Sequence, residues 1–247
     1  NYHFSVDIVK RSAGRSSVAA AAYRSGEKLT DFRTGKRYDF RHKDDVTHKT
    51  VMLPDSVSTW MKDRQALWNY VEQFEKRVDA QLCRDVNFDL PKELTTQQNI
   101  ELAEKFVKEM FVSKGMIADL AIHTKVAPDG EKLSHAHVLL TLREVSEQGF
   151  GLKNRAWNSK DLLQDWRVEW ANYANQSLCL NGHKERVDHR SLEEQGIALE
   201  PQNRRGNENY KFNGRRKAEH ERIARDNAER ILADPSIATR ALTRNQS

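Results

Sequence analysis

The sequence has few cysteines and no long apolar segment. Cys83 and Cys179 are its two cysteines in 247 residues, too few for a disulfide framework and too far apart in the chain for a paired metal site. No apolar run approaches the roughly 20 residues that a membrane-spanning helix needs. The N-terminus has the pattern of a strand rather than of a signal peptide, and there is no internal repeat. These absences argue against a disulfide-stapled secreted scaffold and against membrane insertion, and they favour a reducing cytoplasm.

The composition is that of a folded protein with a basic excess. Hydrophobic residues make up 38% of the chain and charged residues 31%, which is enough apolar material for a real core. The formal net charge of +5 is compatible with a polyanionic partner. The charge alone is weak evidence, because many basic proteins bind no nucleic acid.

Periodicity predicts a mixture of strands and helices. Alternating residues predict strands near 2–9, 50–53, 82–90, 116–126 and 134–145, and helical spacing predicts helices near 17–24, 60–78, 95–113, 159–180 and 217–233. A hairpin is expected over 29–40. Because hairpins link many of these elements, we predict an α+β fold with a largely antiparallel central sheet and helices packed on it. Composition divides the chain into a folded domain, 1–201, and a basic helical tail or linker, 202–247.

Three histidines are the strongest candidates for chemistry. His135 and His137 stand two apart in a predicted strand, so their side chains share one face while Ala136 points away. The predicted hairpin brings the preceding strand alongside, from which His123 can reach the same face. Three imidazoles from adjacent strands predict a divalent-metal site with open coordination positions. A structural histidine pair on a solvated sheet face is the alternative.

Asp85 and Tyr23 are further candidates. Strand alternation places Asp85 on one face with Asn87 and Asp89, where its carboxylate could orient a metal-bound imidazole or accept a proton. A solvated carboxylate is an equal alternative. Tyr23 follows four alanines, whose small side chains let a helix pack closely on a sheet. Composition alone favours an ordinary core or surface tyrosine at this position.

Six segments form a set, in this order along the chain: Tyr2-His3-Phe4, Ser16 to Arg24, Arg84 to Pro91, Ala121 to His123, His135 to Leu140 and Asp188 to Ile197. Together they resemble the MobA/MobL family of conjugative relaxases, of the MOBQ type, over roughly residues 2 to 201. Two positions depart from the family pattern. The family usually has Glu where this chain has Asp85, which shortens the reach, and it often has Asn-Pro where this chain has Leu133-Ser134.

The resemblance implies an HUH-type nuclease fold and a DNA-nicking reaction. Tyr23 would attack a phosphodiester of single-stranded DNA at a plasmid origin of transfer, giving a 5′-phosphotyrosyl bond and a free 3′-OH. The three histidines would hold Mn²⁺ or Mg²⁺ at the scissile phosphate, and Asp85 would be a second catalytic residue. The implied partners are origin DNA, a relaxosome and type IV secretion coupling proteins. Transfer of the DNA-bound protein to a recipient cell is also implied.

Basic residues in and around the predicted hairpin are candidates for binding DNA. They are Arg24, Arg33, Lys36, Arg37 and Arg41, and they alternate with the aromatic residues Phe32, Tyr38 and Phe40. Phosphate pairing and base stacking from such a surface would suit a single strand at the nick. The resemblance adds an adjacent DNA hairpin or duplex. A solvated hairpin without DNA contacts is an equal alternative.

Other classes of function stay open at this point. The chain could be a non-catalytic module that binds origin DNA or another nucleic acid, or a structural metal-binding protein. It could also be a tyrosine nickase of the replication-initiator or transposase type. Formation of a covalent DNA adduct separates a nickase from a binding module, and salt-sensitive DNA binding separates both from a structural metal protein.

The last segment, Ile231 to Ser247, resembles the junction at which TraA-type conjugation proteins continue into a helicase domain. A nuclease that nicks cannot unwind, and a fused motor stays near the nicked strand at high effective concentration. We therefore expect this chain to be the N-terminal nicking part of a longer polypeptide. The alternative is a complete short mobilisation protein with a disordered basic tail.

Overall fold

Nine strands and five α-helices make up the regular structure of the described residues. The strands are β1 (Phe4–Lys10), β2 (Lys28–Thr30), β3 (Arg37–Asp39), β4 (Val46–Met52), β5 (Gln81–Asp89), β6 (Ala118–Val126), β7 (Lys132–Leu140), β8 (Arg143–Ser146) and β9 (Gly149–Lys153). The helices are α1 (Ser17–Ser25), α2 (Arg64–Phe74), α3 (Thr96–Met110), α4 (Lys160–Leu180) and α5 (Gly214–Ala233). The computed structural model describes residues 2–55, 57–127, 130–200 and 214–237.

A five-stranded sheet forms the centre of the first of two units, residues 1–181. Its strand order is β1-β5-β7-β6-β4, and every neighbouring pair is antiparallel. The predicted α+β class with an antiparallel central sheet is therefore confirmed. The second unit is 182–247, so the structural division falls earlier than the division at 201/202 that composition predicts. That predicted boundary stays a prediction.

The two faces of the sheet carry different chemistry. One face packs on α3 and α4 through aromatic rings: Phe88 lies 5.4 Å from Phe106 and 4.3 Å from Trp170, ring centre to ring centre. The other face, which we call the α1 face, packs on α1 and α2. It is apolar where Val9, Cys83 and Leu139 meet those helices, and it is polar farther along the same strands. The candidate site lies at this polar end.

Side-chain caps begin the helices at the positions that the sequence indicates. Ser16 caps α1, and Thr95 forms a capping box with Gln98 at the start of α3. Ser159 caps α4. Each cap satisfies backbone N–H groups that the first turn leaves without a partner. The start of α1 is thereby fixed, and this start sets where the later residues of α1 lie on the sheet.

Helix α2 is shorter than periodicity predicts. The pattern from Trp60 to Val78 predicts one helix with both residues on its buried face, but α2 is Arg64–Phe74. The Asp63 side chain caps it, so the preceding residues form a separate 3-10 turn. Trp60 is 44% exposed and Val78 is 85% exposed. The prediction was wrong at both ends, because an apolar spacing can continue past the residues that cap a helix.

The strand predicted over 134–145 is two strands. β7 ends at Leu140, and β8 forms a separate hairpin with β9. Thr141 lies between them, and its hydroxyl accepts a hydrogen bond from the Ile117 backbone at 3.0 Å. Of the turn predicted before β7, Pro128 and Asp129 lie outside the described residues. Gly130 follows with φ +85°, a conformation that favours glycine.

The second unit contains α5, as the sequence predicts for the tail. Asn227 on this helix exchanges two hydrogen bonds with the backbone of Glu200, at 2.9 and 2.8 Å. Most of the segment compared with a helicase junction, 238–247, lies outside the described residues. In the part of the chain that the structure describes, no helix has the length and apolar character needed to cross a membrane.

Candidate active site and metal centre

Three histidines meet on the α1 face of the sheet. His123 on β6 and His135 on β7 are register partners, and His137 lies two residues along β7, opposite Ala121. The ring centres are 5.3 Å apart for His123 and His135, and 4.9 Å apart for each of the other two pairs. The small side chain of Ala121 leaves room beside His137. The structure therefore brings together all three residues that alternation placed on one face.

The geometry of the three histidines fits a metal ion. One nitrogen from each ring can be chosen so that all three atoms lie within 4.8 Å of one another. His123 Nε2 lies 2.6 Å from the carbonyl oxygen of Arg24, so it must donate, and the lone pair of this ring is then on Nδ1. His137 Nδ1 is buried and has no hydrogen-bond partner in the described structure. Three imidazole donors that converge in this way suit a divalent metal ion.

Burial favours the neutral form of two of the imidazoles, because it lowers their pKa values. It lowers the pKa of His137 far below the usual value, and the positive charges of Arg24 and of the neighbouring histidines act in the same direction. Burial also lowers the pKa of His123. Neutral imidazole is the form that binds metal, so His123 and His137 are in the state that a metal site would require.

Asp85 contacts an arginine rather than a histidine. Its Oδ2 accepts a hydrogen bond from the Arg24 guanidinium at 2.6 Å, and its Oδ1 lies 3.9 Å from His137 Nδ1. The second distance is too long for a hydrogen bond. The sequence makes Asp85 a candidate to orient a metal-bound imidazole or to accept a proton, and no direct hydrogen bond to a histidine is present in the described structure. The Asp side chain is one methylene shorter than that of Glu, and at this position its carboxylate does not reach His137.

Tyr23 lies in the last turn of α1, next in the chain to the residue that contacts His123. Its neighbour in the chain, Arg24, donates to Asp85 and offers its carbonyl to His123. Gly26 ends the helix with φ +62°, and a Cβ there would come within 3.0 Å of Val46. A side chain at position 26 would therefore strain the end of α1. The phenol ring of Tyr23 is 45% exposed and stands edge-on to Phe40, 5.2 Å between ring centres.

The predicted hairpin is present and runs alongside α1. β2 pairs with β3, and Asp31 accepts hydrogen bonds from two backbone groups at the tip. Ser16 at the start of α1 donates to Asp31, whereas Phe40 at the hairpin base contacts Tyr23 at the helix end. Ser16 and Tyr23 are about 10 Å apart along the axis of α1, so the hairpin tip lies about that far from Tyr23.

The five basic candidates differ in how far their charges are already paired. Arg24 pairs with Asp85, Arg33 lies 3.4 Å from the buried Glu72, and Arg41 pairs with Asp39 at 2.7 Å. Lys36 lies over the Tyr38 ring, 5.1 Å from its centre. Arg37 is exposed, and the described residues offer it no ion pair. Arg24 and Arg41 are near Tyr23 or the hairpin base, whereas Arg33, Lys36 and Arg37 lie toward the tip.

Sequence reasoning missed Lys43 and Asp45, which follow the hairpin. The Lys43 ammonium lies 4.0 Å from the centre of the Tyr23 ring and 3.4 Å from Asp45 Oδ1. Asp45 Oδ2 lies 3.9 Å from His123 Nδ1. The signal that could have found them is the charged run Lys43-Asp44-Asp45 directly before a strand that pairs with the strand of His123.

Comparison with known proteins assigns this arrangement to a family. The MobA/MobL family matches residues 15–215, which includes Tyr23, Asp85 and all three histidines. The chain belongs to the MobA/MobL family. A solved structure described as "Molecular Basis of Vancomycin Resistance Transfer in Staphylococcus aureus" is similar in fold and sequence. Its TM-score is 0.72 and its identity 33%, over 77% of this chain and 98% of that chain.

The chain is similar to proteins that are named for conjugal transfer and mobilization. It is 36% identical over 230 residues to the "Conjugal transfer protein TraA" of Agrobacterium fabrum, covering 81% of this chain and 20% of the relative. It is 33% identical to the "Mobilization protein MobL" of Acidithiobacillus ferridurans, covering 94% of this chain and 71% of the relative. The chain thus spans about a fifth of the length of the TraA relative.

Proposed function

We propose that this chain is a relaxase that nicks and rejoins one strand of plasmid DNA at an origin of transfer. The observation that carries the proposal is a set of three converging histidines, one of them hydrogen-bonded to the helix end that carries Tyr23, within a member of the MobA/MobL family. The names of its relatives, conjugal transfer and mobilization proteins, support the same reaction. We place nicking in residues 1–201, with a relaxosome and type IV secretion coupling proteins as partners.

The proposed reaction is a phosphoryl transfer to Tyr23. The phenol oxygen attacks the scissile phosphorus, a new oxygen–phosphorus bond forms, and the bond from phosphorus to the 3′ oxygen breaks. The phenol proton passes to water or a neighbouring base, and the departing oxygen takes up a proton to give a 3′-OH. The 5′-phosphotyrosyl ester retains the energy of the broken bond, so a later 3′-OH can reverse the step without ATP.

The surrounding residues fix where the phenol stands. Phe40 contacts one side of the Tyr23 ring, and the Arg24–Asp85 pair ties the last turn of α1 to β5. The hydrogen bond from His123 to the Arg24 carbonyl ties the same turn to β6. Such anchoring lowers the entropic cost of bringing the phenol oxygen into position for attack. A divalent ion held by the three imidazoles would polarise a phosphate oxygen and offset developing negative charge.

DNA is proposed to lie across the exposed Tyr23 and the base of the hairpin. A phosphate that approaches Tyr23 also approaches Arg24, whose guanidinium remains partly exposed beside Asp85. Arg41 stands next to Phe40, and Arg37 offers an exposed charge farther along. Phosphate pairing from these residues would make binding salt-dependent. Arg33 and Lys36 would contact DNA only beyond the nick, because the hairpin tip lies at the other end of α1.

An adduct assay tests the proposed function. Fluorescein-labelled single-stranded oligonucleotides, tiled across the DNA that flanks the gene, are incubated with the chain and Mn²⁺. We expect one oligonucleotide to give a protein–DNA species that survives denaturing electrophoresis. Mass spectrometry of the modified peptide then identifies the linked residue. DNA binding without any covalent species would instead favour a non-catalytic binding module.

Changing Asp85 should slow nicking and leave DNA binding largely intact. Asp85→Ala removes the partner of the Arg24 guanidinium and the carboxylate nearest His137. Loss of a residue that supports metal-binding histidines lowers metal affinity or activity by about 10–100-fold in other enzymes. We expect that range here, because Asp85 holds Arg24, whose carbonyl accepts the hydrogen bond from His123. Asp85→Glu is the matched variant: its longer side chain can reach His137, so its nicking rate should equal or exceed that of the native chain. An Asp85→Ala rate equal to native would contradict the role.

A further inference from the structure

Lys43 lies close to Tyr23 and has no role in the reaction proposed above. It belongs to the segment 40–45, which runs from the hairpin base to β4. The Phe40 ring contacts Tyr23 edge-on, and the Lys43 backbone N–H donates to the Phe40 carbonyl at 3.1 Å. The Asp45 carbonyl accepts from the Thr124 backbone at 2.8 Å, next to His123. The segment thus connects the nucleophile to the strand of the first histidine, with Lys43 between them.

The Lys43 ammonium lies against the face of the Tyr23 ring. Its nitrogen is 4.0 Å from the ring centre, which is within the range of a cation–π interaction. The side chain is only 11% exposed. A lysine usually keeps its ammonium in water, so its burial at this point needs a compensating interaction. The Tyr23 ring supplies part of that compensation.

The charge of Lys43 is less fully paired than that of its neighbours. Arg24 also lies near the Tyr23 ring, at 5.3 Å, but it donates to Asp85 at 2.6 Å. Lys43 has Asp45 at 3.4 Å, longer than a normal charge-assisted hydrogen bond, and Asp45 also faces His123. Lys43 is therefore the cation beside Tyr23 that has most to gain from an incoming anion.

We propose that Lys43 is a positioning residue for the nucleophile: its ammonium holds the Tyr23 ring and places a positive charge beside the phosphate that Tyr23 attacks. This inference rests on the proposed nicking function and names a residue that the family motifs do not include. The substrate group concerned is a DNA phosphodiester. Because Lys43 acts through the orientation of Tyr23 and through charge, arginine at this position should replace it and a neutral side chain should not.

Single-turnover adduct formation tests the proposal. The probe is the oligonucleotide that forms the adduct with the native chain, with Mn²⁺ and excess protein. For Lys43→Met we expect the first-order rate at saturation to fall about 100-fold, the scale of a misplaced reacting group. The protein concentration at half-saturation should change by less than about 3-fold, because one of several phosphate contacts is altered. Lys43→Arg should recover most of the rate.

A matched control lies on the other face of the sheet. Lys105 on α3 stands over the Tyr173 ring at 5.7 Å, so Lys105→Met also removes a lysine–tyrosine contact. We expect its nicking rate to equal that of the native chain. Thermal unfolding of all variants shows whether they fold. Should Lys43→Met fail to fold, Lys43→Gln and Lys43→Arg make the same comparison between a neutral and a charged side chain.

A modified substrate separates action on the nucleophile from action on the leaving group. With sulfur in place of the bridging 3′ oxygen, the leaving thiolate needs no proton. If Lys43 serves Tyr23, the defect of Lys43→Met persists on this substrate. Recovery of the rate would assign Lys43 to the leaving group and overturn the proposal.

Other outcomes also overturn it. These are an unchanged rate in Lys43→Met, an arginine variant as slow as the methionine variant, and a change in half-saturation with no change in rate. If the native chain forms no adduct with any oligonucleotide, the proposed function is wrong, and the role of Lys43 is wrong with it. If the native chain forms the adduct and Lys43→Met forms it at the same rate, only the role of Lys43 is wrong.

Discussion

Tyr23→Phe should abolish adduct formation while the chain still binds its oligonucleotide with affinity within a few-fold of native. The phenol oxygen forms the bond to phosphorus, so its removal leaves no nucleophile. We expect a loss of at least about four orders of magnitude, comparable to removal of a covalent nucleophile in other enzymes. The folded structure should be unaffected, because the Tyr23 ring keeps its contact with Phe40 and is 45% exposed. Electrophoresis measures the adduct, and fluorescence anisotropy measures binding.

Tyr173→Phe is the control for this substitution. Tyr173 lies on α4, and its hydroxyl donates to Glu109 on α3, so the change removes a phenol oxygen from the other side of the sheet. Adduct formation should continue at the native rate. The assignment of Tyr23 fails if the modified peptide contains Tyr2, Tyr38 or Tyr70. Tyr2 is a poor alternative, because its hydroxyl donates to the Arg167 carbonyl at 2.6 Å and burial raises its pKa.

The elements that sequence predicted well are those in which one local rule suffices. Strand alternation placed His135 and His137 on one face, and the antiparallel pairing of β6 with β7 brings His123 opposite His135. The helix caps at Ser16 and Thr95 follow from short local patterns. The ends of α2 did not follow, since Trp60 continues the apolar spacing but precedes the cap at Asp63.

The charged contacts could not be read from the sequence. The partners Arg24 and Asp85 come from α1 and β5, and their meeting depends on how α1 packs across the sheet. This pairing anchors α1 to β5 through Arg24. A DNA contact by Arg24 stays a prediction. Lys43 lies beyond the aromatic hairpin, and only the path of the segment 40–45 brings it over Tyr23. Contacts that depend on how a helix packs on a sheet produce no periodic pattern in the sequence, so periodicity does not predict them.

The packing also indicates why the candidate site lies where it does. The apolar end of the α1 face holds α1 in place, and the polar end of the same strands presents the histidines to the last turn of this helix. The small side chains of Ala21 and Ala22 are fully buried, so α1 approaches the sheet closely. A larger side chain at either position would move Tyr23 away from the histidines. Small side chains at these two positions are thus a structural requirement of the site.

Removing one histidine should remove the metal. His137→Ala should lower the affinity for Mn²⁺ by more than about 100-fold, because even the loss of a residue that only supports a ligand lowers affinity by about 10–100-fold. Nicking should fall with it. His48→Ala is the matched control: His48 is on β4 of the same sheet but contacts Glu104 of α3, at 2.9 Å, away from the site. Titration calorimetry measures both variants.

Metal should also stabilise the native chain, and the effect should depend on pH. At about 100 times its dissociation constant, a ligand adds about 2.7 kcal/mol to the free energy of unfolding, which corresponds to a rise in Tm of about 5–10 °C for a chain of this size. Without metal, the free energy of unfolding should decline as the pH falls below about 6.5.

The decline has its cause in the buried histidines. Histidines of the unfolded chain take up protons below this pH, whereas burial lowers the pKa of His123 and His137 and keeps them neutral in the folded chain. In His137→Ala the decline should be shallower and the response to Mn²⁺ lost. An equal rise in Tm with Mn²⁺ in the native chain and in His137→Ala would place the metal elsewhere.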